Sequence, residues 1–427
     1  MLKKNFIFIS YLLILFMLQG CAVQRHRKLQ RFLDTSISKA HFEQQFTGIL
    51  VLDPVSGDTL YAHNSQKYFT PASNAKLFTL YAGLKLLPDS IPALRYISLN
   101  DTLYVQGTGD PSQLHPYFRD STVLHFLKPY PQVALYSQNF TEPPWAPGWA
   151  WEDYDGPYAP ERSALPLYGN VVEVFNQDGL QVSPGYFRDS VNALRYPSKR
   201  LQDANLFFAD PGRQDTLLIP FKTDSTLTRQ LLEQALGRPV SFAPRLPRGD
   251  RKTLYSLPAD SLYQRMMQES DNFLAEQLLL AASSTLSDTL SSEKARAYVL
   301  GNFLKDLRQP PLWVDGSGLS RYNLFSPESL VYVLHRMYEE VPRERLFAIF
   351  PAGGVSGTLK EWYAGDREPY IFAKTGTLSN NLCLSGYLQT RSGNLLIFSF
   401  MNNHFRQPSL EIKEGMRRVF EWLRDTY

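Results

Sequence analysis

The stretch 70-TPASNAKLF-78 places Ser73 three residues before Lys76, and the reading of that serine, as nucleophile or as helix cap, decides how the chain is understood. Ser-x-x-Lys alone settles nothing. It recurs at Ser36/Lys39 and Ser291/Lys294, and ordinary serine and lysine usage gives roughly two matches by chance in a chain of this size. Serine is also a common N-cap. Context, order along the chain and partner residues have to decide.

Working outward, 48-GILVLDPVSGDTLYAH-63 reads as two apolar strands joined at Asp53-Pro54-Val55-Ser56-Gly57, a hairpin. After Pro71, Leu77, Leu80, Tyr81, Leu84 and Leu87 recur at helical spacing until Pro88. This predicts a helix beginning at Ser73, with Lys76 one turn on and near the same face. From 91 to 253 the texture changes to short strand-like pieces with Pro and aromatic clusters such as 143-PPWAPGWAWEDYDGPYAP-160, as in an inserted β-rich unit. Helical periodicity resumes over 258–283, 293–307 and 326–340, the last with Ser326-Pro327 as cap and first-turn proline. Strands at 382–390 and 394–403 flank the Ser392-Gly393 turn, and a final helix is predicted near 409–425. Strands at both ends with helices between predict an α+β fold, an antiparallel sheet closed by N- and C-terminal segments. The expected division is a leader at 1–20, a linker and first helix at 21–45, a first part of the main domain at 46–90, the insert at 91–253 and the second part at 254–427.

Of 427 residues, 44% are hydrophobic and 13% aromatic, enough to bury two or three cores. The formal charge of +3 falls to +1 when Lys3 and Lys4 leave with the leader, so no polyanionic partner is implied and nucleic acid binding is disfavoured. Two lysines followed by an apolar run in MLKKNFIFISYLLILFMLQG fit an export signal. Its end, Leu18-Gln19-Gly20-Cys21, resembles a bacterial lipoprotein cleavage box. That resemblance implies lipidation of Cys21 and anchoring to a membrane surface; a plain signal peptide with an incidental cysteine is the alternative. The other cysteine is Cys383, so acylation of Cys21 leaves no intramolecular disulfide. Beyond the leader no apolar run reaches 18 residues.

The informative feature is order: Ser73-Asn74-Ala75-Lys76, then Ser270-Asp271-Asn272, then Lys374-Thr375-Gly376-Thr377. A serine hydroxyl becomes a useful nucleophile only when a base takes its proton, and a lysine serves at neutral pH only if burial or nearby cations depress its proton affinity. Lys76 is placed to be that base. Ser270 can relay a proton to a leaving amine, and Asn272 can hold a substrate amide. Lys374 on an edge strand adds positive charge that keeps Lys76 neutral and attracts a carboxylate, to which the Thr377 hydroxyl can also donate. Thr375 on the same strand is expected to contact substrate as well, and Gly376 leaves room for substrate backbone beside it.

These three elements are those of the penicillin-recognising serine acyltransferases. With GTGDPS at 107–112, DGSGLSR at 315–321 and SGTL at 356–359, the chain resembles the D-alanyl-D-alanine carboxypeptidase/endopeptidase family of low-molecular-mass class C penicillin-binding proteins over roughly 46–404. The resemblance implies a penicillin-binding transpeptidase/β-lactamase-like domain carrying an insert between the serine helix and the Ser-Asp-Asn loop. Ser73 and Ser270 are 197 positions apart, against a much shorter gap in class A β-lactamases. It implies Ser73, Lys76, Ser270, Asn272 and Lys374 as the catalytic set, and an oxyanion hole from the backbone N–H groups of Ser73 and Thr377. It further implies cleavage of peptidoglycan stem peptides or cross-links, and β-lactams as covalent inhibitors. No cofactor or metal is expected, since seven histidines show no ligand spacing. An exported, periplasmic, lipid-anchored serine DD-peptidase is the reading; the alternatives are a β-lactamase or esterase of the same fold and a catalytically silent wall-binding lipoprotein. Asp271 is expected to bond loop backbone, and Asp315 and Ser317 to shape the cleft floor. Asp110 is expected in a turn and Cys383 in the core. Arg321 is either a substrate contact or a structural ion pair. Trp145, Trp149 and Trp151 either pack within the insert or stack on sugar.

Overall fold

The computed structural model describes residues 27–36, 42, 44–177 and 179–427. The leader, Cys21 with the lipidation expected there, and Lys39 lie outside the described residues.

The run Leu395–Asn403 is buried along its whole length, which requires cover on both faces of its sheet. Alternate side chains divide accordingly. Leu395, Ile397 and Met401 join a core built with helices Lys76–Leu86, Ala259–Gln268, Asn272–Ser284 and Pro327–Glu340. Leu396, Phe398 and Phe400 join a second core on the opposite face, with helix Ser409–Thr426 and the helical segment at 27–36. The five-stranded sheet is antiparallel throughout and runs Ile371–Leu378, Asn381–Gln389, Leu395–Asn403, Phe46–Leu52, Thr59–His63. The strand carrying Lys374 is therefore at its edge, and the hairpin expected at 48–63 forms the other side.

Between the serine helix and Ala259 the chain builds a separate core. Its main sheet has five strands in the order Ser241–Phe242, Gln132–Tyr136, Thr102–Gly107, Ser90–Leu99, Lys252–Pro258. Gln132–Tyr136 pairs in parallel with both neighbours. A three-stranded sheet, a two-stranded sheet and helices Thr122–Leu127 and Ser225–Leu236 pack with it, with Leu94, Leu103, Leu135, Val172, Phe207 and Leu232 in the interior. Ser90–Leu99 and Lys252–Pro258 pair antiparallel, Arg95 opposite Thr253, so the segment leaves and returns along adjacent strands.

Periodicity across 258–283 predicts one helix, and the structure has two. The break is at Ser270, whose φ of +58° no helix accommodates. Asp271 then caps the second helix by accepting the Leu274 N–H at 3.0 Å, because a side-chain acceptor competes with the continuing helical ladder.

Candidate active site

The serine turn departs from the sequence expectation in a useful way. Residues Ala72–Ala75 form a 3₁₀ turn and the α-helix begins only at Lys76. No side chain caps either element, so the Ser73 hydroxyl is not consumed by the backbone. The other Ser-x-x-Lys matches behave as bystanders: Ser291 caps helix Ser292–Asn302 by accepting the Lys294 N–H at 3.2 Å, and Ser36 donates to the Phe32 carbonyl. The turn is held from two sides. Asn74 donates to the Lys374 carbonyl at 3.1 Å, joining it to the edge strand. Gly318, at φ +83°, packs against Ala72, where an added Cβ would sit 1.9 Å from the Ala72 carbonyl oxygen. Ala72 itself carries a φ of +48°, backbone strain placed immediately before Ser73.

Lys76 is fully buried, and its Nζ lies 3.0 Å from Ser73 Oγ, 2.6 Å from Asn272 Oδ1 and 2.7 Å from the Ser317 carbonyl oxygen. A neutral amine has two N–H bonds and one lone pair. With the N–H bonds directed to Asn272 and Ser317, the lone pair faces the serine hydroxyl. Burial pushes the Lys76 ammonium down to about 8, while Asp315, Asp271 and Glu276 pull upward. Across the site, Lys374 is also fully buried, and its Nζ donates to Ser270 Oγ and to the Thr375 carbonyl, both at 2.8 Å. Burial, then the neighbouring Lys76, hold Lys374 well below its ordinary range. The carboxylates thus face Lys76 rather than Lys374, so the substrate-free site favours charge on Lys76. The expectation that Lys374 keeps Lys76 neutral therefore needs an anion bound beside Lys374.

Ser73, Ser270, Asn272 and Thr377 line one cavity of about 440 Å³, together with Asp153, Tyr158, Gly318 and Arg321. The insert contributes directly: the Asn272 amide donates to the Tyr158 carbonyl at 3.0 Å. Both ends of that amide are engaged internally, so holding a substrate amide requires exchange of a partner. Thr375 turns away. Its hydroxyl donates to Thr358 at 2.8 Å, and it lines a separate cavity of about 180 Å³ with Trp362 and Met416. The space left by Gly376 is likewise not open for substrate, because a Cβ there would lie 2.6 Å from the Pro71 carbonyl oxygen and 2.7 Å from Asn74 Nδ2. This glycine lets the serine turn approach the strand.

Arg321 Nη1 stands 3.6 Å from Asp153 Oδ2 at the cavity wall, the arginine partly exposed and the carboxylate nearly buried. Tyr158 donates to the other Asp153 oxygen at 2.9 Å. Asp315 underlies the floor, accepting from Gly318 N at 2.8 Å, Ser320 N at 2.6 Å and Trp149 Nε1 at 2.9 Å. Trp145 and Trp149 pack on each other at 5.7 Å, whereas Trp151 is exposed. Asp110 bonds Ser112 and Ser256, and Cys383 is buried in the core. Sequence reasoning assigned no role to Glu276. Fully buried, it accepts the Ser317 N–H at 2.7 Å; its position one helical turn beyond Asn272 was the available signal.

The chain is similar to several known proteins. Over 183 residues the chain is 27% identical to the D-alanyl-D-alanine carboxypeptidase DacB of Haemophilus influenzae, covering 40% of this chain and 37% of that protein. The D-alanyl-D-alanine carboxypeptidase of Actinomadura sp. strain R39 is 25% identical over 90% of this chain and 82% of its own length. Among solved structures, penicillin binding protein 4 (dacB) of H. influenzae superposes with a TM-score of 0.70 at 20% identity, covering 90% of this chain and 97% of that one. The peptidoglycan endopeptidase Bd3459 of Bdellovibrio bacteriovorus gives 0.52 at 17% identity, covering 88% and 93%. A family model matches residues 29–184 and 251–425, most of the chain and all three motif elements, and the chain belongs to the D-Ala-D-Ala carboxypeptidase 3 (S13) family.

Proposed function

We propose that this protein is a serine DD-peptidase that cleaves peptidoglycan stem peptides or cross-links through an acyl-serine intermediate and is inhibited by β-lactams. The observation that carries this reading is the buried Lys76 amine 3.0 Å from Ser73 Oγ, opposite the Lys374 to Ser270 pair. The substrate's terminal carboxylate binds beside Lys374 and the Thr377 hydroxyl. That anion stabilises charge on Lys374, and the positive charge there lowers the proton affinity of Lys76. Ser73 Oγ then attacks the scissile carbonyl carbon while Lys76 takes its proton. The resulting oxyanion is held by the backbone N–H groups of Ser73 and Thr377, roles taken from family resemblance. As the C–N bond breaks, a proton reaches the leaving amine through Ser270, and water later releases the acyl group by the reverse proton transfers.

The cavity continues past Ser73 to Arg321 and Asp153. A substrate group carrying both an amine and a carboxylate would find a partner for each, which supports a cross-linked or zwitterionic stem residue. Thr375 and Gly376 act in this reading through the strand backbone rather than by side-chain contact. The protein is exported and held at a membrane surface by acyl chains on Cys21; among the described residues no helix is long and apolar enough to cross a membrane.

The test is to incubate protein lacking residues 1–21 with a fluorescent penicillin and map the label. Label on the peptide containing Ser73, absent in Ser73→Ala, supports the acyl-enzyme. Rapid loss of the penicillin ring without label would indicate a β-lactamase instead, and intact unlabelled penicillin would indicate the silent binding protein. A full-length Cys21→Ala variant should be released from the membrane fraction.

A further inference from the structure

Glu276 is a buried carboxylate that the mechanism above does not use. Its Oε1 accepts the Ser317 N–H at 2.7 Å. Its Oε2 is buried without a hydrogen bond and lies 3.7 Å from Nη1 of Arg162, an equally buried residue of the inserted segment. Arg162 is itself fixed, by the Pro143 carbonyl at 2.8 Å, Ser292 Oγ at 3.2 Å and Glu142 at 3.3 Å. On the other side of the same residue, in the next peptide group along the chain, the Ser317 carbonyl accepts from Lys76 at 2.7 Å. A continuous set of contacts therefore runs from the insert to the base.

We propose that Glu276, braced by Arg162, is a positioning residue for the reaction: it anchors Ser317 by its N–H so that the carbonyl of the same residue, one peptide plane on, stays in place to direct the Lys76 lone pair at Ser73. The inference rests on the acyl-serine reading and adds to it a role for the insert in setting the base. Two effects combine. The hydrogen bond to the Ser317 N–H anchors the residue whose carbonyl meets Lys76, and the carboxylate charge acts on Lys76 through space. The charged groups facing Lys76 are Asp315, Asp271 and Glu276, with Lys374 on the edge strand. Those facing Glu276 are Lys76, Asp315, Arg162 and Arg296. Burial pushes Glu276 up to about 7, with Arg162 opposing, so its charge changes in the range where the base works.

Glu276→Gln separates the two effects, because the amide oxygen still accepts from Ser317 while the charge is gone. The measurement is the second-order rate of penicillin acylation against pH, with thermal melting to verify folding. Glu276→Gln is expected to retain acylation at high pH within about threefold and to move the acidic limb down by about 0.5 to 1 pH unit. Glu276→Ala, which loses the acceptor as well, is expected to acylate at least about tenfold more slowly across the whole range. A folded Glu276→Gln with the wild-type limb, or a folded Glu276→Ala with the wild-type rate, overturns the inference. If Glu276→Ala does not fold, the isosteric glutamine variant decides. Failure of the wild type to be acylated would overturn the underlying reading instead, which keeps the two distinguishable.

Discussion

Lys374 Nζ lies 2.8 Å from Ser270 Oγ in a fully buried position, and among the described residues no carboxylate forms an ion pair with it. An amine held in that way gains most from an anion that arrives with the substrate. Blocking the terminal carboxylate of a D-Ala-D-Ala peptide as its amide should therefore lower kcat/KM by at least about 10²-fold, since the buried amine is left unpaired. Lys374→Ala should show the same loss toward the free acid and little further loss toward the amide. Equal turnover of acid and amide by the wild type would remove Lys374 from carboxylate recognition.

The Lys76 ammonium, pushed down to about 8 by burial, sets the direction of the pH dependence. A general base works when deprotonated, so the second-order rate of penicillin acylation, which reports the free enzyme, should rise with pH and level off above about 8. The sign follows from the group: protonated below its pKa and inactive, free above it and active. Lys76→Met should lose at least about 10³-fold and lose the limb with it. A rate flat between about pH 6 and pH 9 in the wild type would assign the base elsewhere.

Gly318 joins folding to catalysis at the serine turn. An added Cβ would sit 1.9 Å from the Ala72 carbonyl oxygen, and the residue is at φ +83°. Gly318→Ala should therefore destabilise the protein by about 2 kcal/mol or more and lower penicillin acylation, because relief of the clash moves Ala72 and with it Ser73. Thermal melting and acylation rate are the two readouts. A variant unchanged in both would show that the turn is set by its own sequence and not by the loop beneath it.

What the chain shows of this site without coordinates divides along physical lines. Local periodicity locates the serine helix and the C-terminal strands well, because Leu77, Leu80 and Leu84 or Ile397 and Met401 each repeat with their element's own period. The order of the three motifs likewise brings Ser73, Ser270 and Thr377 to one cavity. Positive φ at Ser270 leaves no periodic trace, so the break in the helix is signalled by the Ser-Asp-Asn motif and not by the hydrophobic pattern. The destinations of side chains that meet between separate elements are tertiary facts: Glu276 under Ser317, Arg162 behind Glu276, Asn74 filling the space beside Gly376.

Arg321 and Asp153 allow a last discrimination. The guanidinium is partly exposed and the carboxylate nearly buried, 3.6 Å apart, with Tyr158 held on the other Asp153 oxygen. If the pair does not hold the fold together, its half-open position means that Arg321→Ala should leave the melting temperature close to wild type. If the pair receives a zwitterionic stem residue, the same variant should raise KM by about tenfold for peptides whose residue before D-Ala-D-Ala carries a diamino acid with a free carboxylate. It should change KM little where that residue is lysine, which presents an amine alone, and should leave penicillin acylation unaltered because penicillin carries no such group. Melting and the two KM values thus separate an ion pair that closes the fold from one that reads the substrate: a large drop in melting temperature with equal effects on both peptides would assign Arg321 to the fold.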